Sequence, residues 1–280
     1  MPTTYAHWRF GKDCIDTLPK EIQKIVNNNI DIYNLGVHGP DIFFYDLMHK
    51  KTVQYGKKEH ITPAEVFFYN GKKVYRNHFE KNEILTYMLG FLSHFVLDST
   101  AHGYIEHKKE VSGISHNKIE AEWDKHVIEL DNREPNLVDR SESLRPNKYN
   151  SKIISYFYTL NARTIFRTCK SQHFLVHFMN CISPKKYNIA TKILKKLRLD
   201  NMADLLIPFE KNSITDDSNL RLDKLRNKSL TLYKKLSINL LNYLNNKERL
   251  DKYFDRDLSY TEDYKDIPIL PYIKEQTFKI

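Results

Sequence analysis

The sequence predicts an all-α fold, organised as a single helical domain, and three observations predict it. Glycine and proline are sparse, 8 and 10 of 280 residues, which leaves few places for the tight turns of a strand-rich protein. Apolar residues recur at helical spacing in several long segments. No segment shows the alternation of a half-buried strand. A hydrophobic share of 41% and a charged share of 28% complete a globular composition, and a chain of this length can bury a substantial core.

Taken in order, residues 13–30 (DCIDTLPKEIQKIVNNNI) predict a helix started by Pro19, with Ile22 and Ile25 facing inward. NLGVHGPDIFFYD, residues 34–46, is a turn feeding an apolar segment. Residues 52–63 are expected as a loop closing on a helix that begins near Pro63, and 72–80 are polar. The most apolar helix starts at Asn82 and runs to His102, with Ile84, Met88, Phe91 and Phe95 on a wide face, so it belongs at the centre. Gly103 and Gly113 bracket an expected loop over 103–114. Ser115 is an N-cap for a helix from His116 to about Asn132, with Ile119, Trp123 and Val127 as its seam. A polar loop over 133–150 precedes helices at 151–169, 171–181 and 185–197. A polar break at 209–219 leads to a long amphipathic helix over 220–247. The domain is thus expected over residues 1–250, with 251–280 an irregular tail packed on it or partly disordered.

The formal charge of +9, from 44 basic and 35 acidic residues, suits anionic partners such as phosphate esters, and equally a Lys- and Asn-rich compositional bias. No basic segment followed by an apolar run opens the chain, and no stretch approaches the roughly 20 apolar residues of a membrane span. Cys14, Cys169 and Cys181 are widely spaced and odd in number, which predicts reduced thiols and a cytoplasmic protein.

Chemistry concentrates in residues 94–120. His94, Asp98 and His102 are four apart and share one helical face, with the carboxylate between two imidazoles. His116 and Glu120 repeat the spacing on the next helix. A buried histidine beside a buried carboxylate is costly unless something pairs or coordinates both. One such pair could simply be hydrogen-bonded in the core. Two neighbouring stripes with five ligand-type side chains point to a multinuclear metal site. His173 and His177 also stand four apart but lack a carboxylate in register. His38, His49, His78, His107 and His126 are single residues, read as solvated or structural.

TYAHWRFG, GPDIFFY, GKKEH, HFVLD with the following His102, and HNKIE, in this order over residues 1 to about 124, resemble the zinc-dependent phospholipase C family. That family is similar in fold and metal site to the single-strand-specific zinc nucleases. The resemblance implies up to three zinc ions in a cleft of an all-α domain. It implies that Asp41, His60, His94 and Asp98 bind one zinc, that Asp98 bridges to a second bound by His7, and that His102, His116 and Glu120 bind a third. Asp41 would also orient or deprotonate the attacking water. In secreted members the mature N-terminal residue completes the zinc bound by His7. Here removal of Met1 would expose Pro2, five residues from His7, and occupancy of that site turns on whether Pro2 replaces the missing ligand. The four-residue step from Asp98 to His102 is also shorter than in secreted members.

The implied activity is phosphodiester hydrolysis by metal-activated water on a phosphoester substrate, most simply a phospholipid. Phe43, Phe44, Tyr45, Phe67 and Phe68 are candidates for a substrate pocket or for the core. A nuclease-like phosphodiesterase acting on nucleic acid or a soluble phosphoester is the second reading, weakened by the lack of an ordered run of basic and aromatic residues. A non-catalytic metal-binding protein is the third. A site without cysteine leans away from closed structural zinc, although His and carboxylate ligands would also accept manganese or iron.

Overall fold

The computed structural model describes residues 4–180, 182–210, 215–259 and 262–280, and no β-strand occurs among them. Pro2 and Cys181 lie outside the described residues, as do residues 211–214 of the expected polar break. The helices are α1 (Thr4–Thr17), α2 (Lys20–Asn28), α3 (Ile30–Val37), α4 (Lys50–His60), α5 (Ala64–Asn77), α6 (Lys81–Ser112), α7 (His116–Leu130), α8 (Lys148–Ser155), α9 (Ala162–Phe178), α10 (Pro184–Lys196), α11 (Asp200–Ala203), α12 (Asp216–Leu244) and α13 (Tyr272–Thr277).

Helix α6 is the axis of the molecule. Nearly every residue from Ile84 to Ile105 is buried, so the helix is apolar on all sides rather than on one stripe. By length and composition it could cross a membrane, but 94% of its most apolar window is covered by the rest of the protein. Helices α1, α3, α5, α7 and α12 pack around it. The closest approach is to α3, at two glycines. A Cβ on Gly90 would lie 2.4 Å from the Tyr33 carbonyl oxygen, and one on Gly36 would lie 2.7 Å from that of Tyr87. This contact fixes the position of the segment that follows α3.

Several boundaries differ from those expected. The chain before Asp13 is already helical, and α1 and α2 replace the single helix expected over 13–30, with Pro19 as the N-cap of α2. Residues 52–60, expected as a loop, belong to α4. Its buried stripe is short and inconspicuous: Thr52, Gly56 and His60. The expected loop over 103–114 is two further turns of α6 and more. Gly103 costs a helix interior only about 1 kcal/mol, while Tyr104, Ile105 and Lys108 keep the buried stripe going. The stop is Gly113, in the left-handed region at φ 72°. The helix expected over 151–169 is interrupted, because Phe157 and Tyr158 turn into the core and Asn161 caps a new helix through the Thr164 amide. The break expected after 169 is absent, and α9 runs through it.

The described residues of 251–280 carry 3-10 turns and α13 and pack closely on α5, α6 and α12. Phe254 is fully buried against Phe68 and Phe95. Glu275, with no exposed surface, takes a two-pronged contact from Arg221 at 2.7 and 2.9 Å. Cys14 and Cys169 are buried and unpaired.

The α3–α6 contact gives a direct expectation. Gly90→Ala forces a methyl into a backbone oxygen and should destabilise the protein by about 2–3 kcal/mol in chemical denaturation. Gly113→Ala has open space around it and is strained only by its φ, so it should cost about 1 kcal/mol.

Candidate metal centre

The local sequence explains how each side chain is held. His7 lies on the first turn of α1, whose start is fixed by Asp124 of α7. The Asp124 carboxylate accepts from the amides of Tyr5 and Ala6 at 3.2 and 2.8 Å, an anionic cap on a helix N-terminus. Asp41 sits in a buried 3-10 segment, Gly39–Tyr45, that follows α3 directly. Gly39, at φ 48°, passes so close to the His94 ring that a Cβ there would lie 2.3 Å from its Cδ2. Glycine is needed twice over here, for the backbone angle and for the space. His60 closes α4. Gly56, one turn earlier, lets α4 press on Phe43, where a Cβ would stand 2.8 Å from the phenylalanine Cβ.

All eight residues named from the sequence come together. His60 Nε2 stands 2.7 Å from Asp41 Oδ1. Asp41 Oδ2 stands 3.6 Å from His94 Nε2, which is 3.2 Å from Asp98 Oδ2. The other oxygen of Asp98 faces His7 Nε2 at 3.0 Å and His102 Nε2 at 3.8 Å. His102 Nε2 is 3.7 Å from Glu120 Oε1, which is 3.0 Å from His116 Nε2. Two compact groups result, His7–Asp41–His94–Asp98 and His102–His116–Glu120, each with its ligand atoms within 4.8 Å of one another. Asp98 turns one oxygen to each side of its helix stripe, the disposition a bridging carboxylate requires.

The hydrogen bonds decide what this arrangement can hold. His60 Nδ1 donates to the Gly56 carbonyl at 2.7 Å and His102 Nδ1 to the Leu258 carbonyl at 3.0 Å. His116 Nδ1 stands 2.6 Å from Glu106 Oε1. Each Nδ1 proton is therefore committed. A neutral ring then points the lone pair of Nε2 at a carboxylate oxygen, which is repulsive unless a proton or a cation lies between them. Burial drives His94 down to about 4 despite its carboxylate neighbours, whereas at His7, His60 and His116 the facing carboxylates outweigh burial and raise the ring, His116 to about 9, so the negative charge of the site calls for positive charge on or between the rings. Among the buried polar atoms, His7 Nδ1, both nitrogens of His94, Asp41 Oδ2 and Glu120 Oε2 have no hydrogen-bond partner. A divalent ion would satisfy His94 Nε2 and the unpartnered carboxylate oxygens. Zinc ligands at about 2.0–2.2 Å from the metal stand roughly 3–4 Å from one another, and most of the spacings above fall in that range. The donor set, imidazole and carboxylate oxygen, fits zinc, and His60, His102 and His116 have the outer partners that metal-bound histidines normally have.

Residues 6–179 match the family model described as zinc dependent phospholipase C. This chain belongs to the zinc-dependent phospholipase C family. No curated protein and no solved structure matches the chain. The matched region contains all eight clustered residues.

Four participants escaped the sequence reading. Glu106 holds His116 and is itself lowered to about 2, chiefly by that hydrogen bond. Asp124 positions α1. The Leu258 backbone ties two site histidines at once, because its amide donates to the His60 carbonyl at 3.1 Å while its carbonyl receives His102. Leu258 lies about 80 residues beyond the matched region, so the C-terminal segment is part of the centre. His38 is not solvated. It is fully buried beside His7, Asp41 and His94, with both ring nitrogens unpartnered, and burial drives its pKa to about 3. The other single histidines have ordinary roles. His49 pairs with Asp46, His126 with Asp223, His107 donates to the Ile267 carbonyl, and His78 stacks on Tyr156. His173 and His177 are exposed and stacked on each other, away from the centre. Of the five aromatic pocket candidates, Phe43, Tyr45, Phe67 and Phe68 are core, and Phe44 lines the cleft.

Glu106 gives the test of the outer partners. Glu106→Ala removes the acceptor for His116 Nδ1 and should lower metal affinity about 10–100-fold, measured by competition with a chromogenic chelator, while the helical content stays unchanged.

Proposed function

We propose that this protein hydrolyses phosphodiesters in the manner of a phospholipase C. The observation that carries this reading is an open cleft of about 540 Å³ lined by His60, His102 and His116, with the buried Asp98 carboxylate 3.8 Å from His102 Nε2. A closed structural site would be surrounded by protein. Here His60, His102 and His116 all reach the cleft lining. Zinc bound in such a place lowers the pKa of a bound water and offsets charge on phosphoryl oxygens.

The chain's own groups divide the remaining tasks. His60, His94 and His7 surround Asp41 and Asp98 and would serve as neutral ligands with zinc bound. Asp41 keeps one oxygen against His60 and leaves Oδ2 unpartnered, which equips it to orient the attacking water and take its proton. Glu106 and the Leu258 carbonyl fix the tautomers of His116 and His102. Up to three zinc ions fit this reading, occupancy of the second, at His7, turning on whether Pro2 completes it. The nuclease-like alternative is less well supported, because the cleft walls carry no row of aromatic faces and cations.

Purified protein loaded with zinc should cleave p-nitrophenyl phosphorylcholine or a short-chain phospholipid faster than single-stranded DNA. Asp98→Asn, which weakens both groups at once, should reduce turnover by at least about a hundredfold and lower the bound zinc per chain. Full activity in Asp98→Asn, or hydrolysis of DNA alone, would refute the proposal.

A further inference from the structure

The charge at the mouth of the cleft carries an inference about the substrate. It rests on the phosphoester reading above and refines it. Beyond the site histidines and Glu106, the cleft is lined by Phe44, Lys57, Ile61, Asn117, Ser259 and Tyr264. Lys57 stands one turn before His60 on α4, so its side chain shares the face that closes on the centre. It is exposed and has no hydrogen-bond or ion-pair partner among the described residues.

The negative groups nearby are already engaged. Glu106 places Oε1 against His116 Nδ1 at 2.6 Å and Oε2 against the Lys109 ammonium at 2.5 Å. Glu110, on the outer side of Tyr264, accepts the hydrogen bond of that hydroxyl. The aromatic surfaces are engaged as well. Phe44 lies over His60 with ring centroids 4.8 Å apart, and Tyr264 meets His107 edge-on at 6.2 Å. A quaternary ammonium headgroup is bound by free aromatic faces, helped by an unpaired carboxylate. This mouth offers instead one unpaired cation, with the Ser259 hydroxyl also in the lining.

The geometry points to Lys57 as a specificity-determining residue that receives an anionic group on the substituent next to the scissile phosphate. The preferred substrate class is a phosphoester bearing a second negative group, a carboxylate or another phosphate, ahead of a choline ester. Lysine binds such groups through charge-assisted hydrogen bonds.

The test uses three p-nitrophenyl phosphodiesters with the same leaving group, differing only in the second substituent: 2-carboxyethyl, ethyl and choline. Zinc-loaded full-length protein should show kcat/KM in that order. In Lys57→Gln the carboxyethyl-to-choline ratio should fall about tenfold, the scale of one charged hydrogen bond. Lys57→Glu should invert the preference. The ratio is taken within each protein, so a change in zinc loading or folded fraction cancels. The same ratio in all three proteins, or a wild-type preference for choline, overturns the proposal. If no ester is cleaved, the phosphoester reading fails instead. Calorimetry with 2-carboxyethyl phosphate and phosphocholine then reads Lys57 alone. Tighter carboxyethyl phosphate binding that is lost in Lys57→Gln supports the assignment, and equal binding overturns it.

Discussion

The structure depends on one constraint: three carboxylates and five histidines are packed together in a dry interior, where their charge has to be matched. Asp41, Asp98 and Glu120 are almost without exposed surface. Their imidazole neighbours have committed their other nitrogens to carbonyl and carboxylate acceptors, or hold them in apolar surroundings without a partner. Such an array is costly as an assembly of protons and ordinary ion pairs. With divalent ions in place the same array satisfies its electrostatics and its geometry together. The arrangement of the helices around it follows from the need to bring five elements to that point.

The central helix shows how this is done. A helix buried on every side can carry a polar stripe only if something compensates the stripe, and α6 presents His94, Asp98 and His102 on successive turns. The rest of the centre is delivered by close backbone contacts. Gly36 and Gly90 allow α3 to touch α6, and Gly39 then carries Asp41 across the face of His94. Gly56 brings α4 and His60 in from another side. The C-terminal segment closes the assembly through Leu258, anchored further along by the buried contact between Arg221 and Glu275. Positioning therefore comes from both ends of the chain, and the family-matched region holds the ligands without holding every support.

Legibility in the sequence followed the range of the interactions. Five site residues in 94–120 were readable because helical periodicity converts a spacing of four into a shared face. His7, Asp41 and His60 were readable only through motif resemblance, since nothing local ties them to α6. Helix α4 was missed because its buried stripe is a threonine, a glycine and a histidine among lysines, a pattern that resembles a loop. The end of α6 was placed at Gly103 because glycine is the usual stop, yet the buried stripe continued and Gly113 had the required backbone angle. Glu106, Asp124, His38 and the Leu258 carbonyl gave no signal beyond their identity. Each gains its role from residues between 3 and about 160 positions away.

The most direct measurement is a crystal structure of zinc-loaded protein with anomalous diffraction on both sides of the zinc absorption edge. The account predicts separate zinc peaks in the His7–Asp41–His94–Asp98 group, with His60 at its edge, and in the His102–His116–Glu120 group, with Asp98 reaching between them. A map with no zinc peak at either group, in which Asp41, Asp98 and Glu120 close directly on protonated histidines, would contradict it.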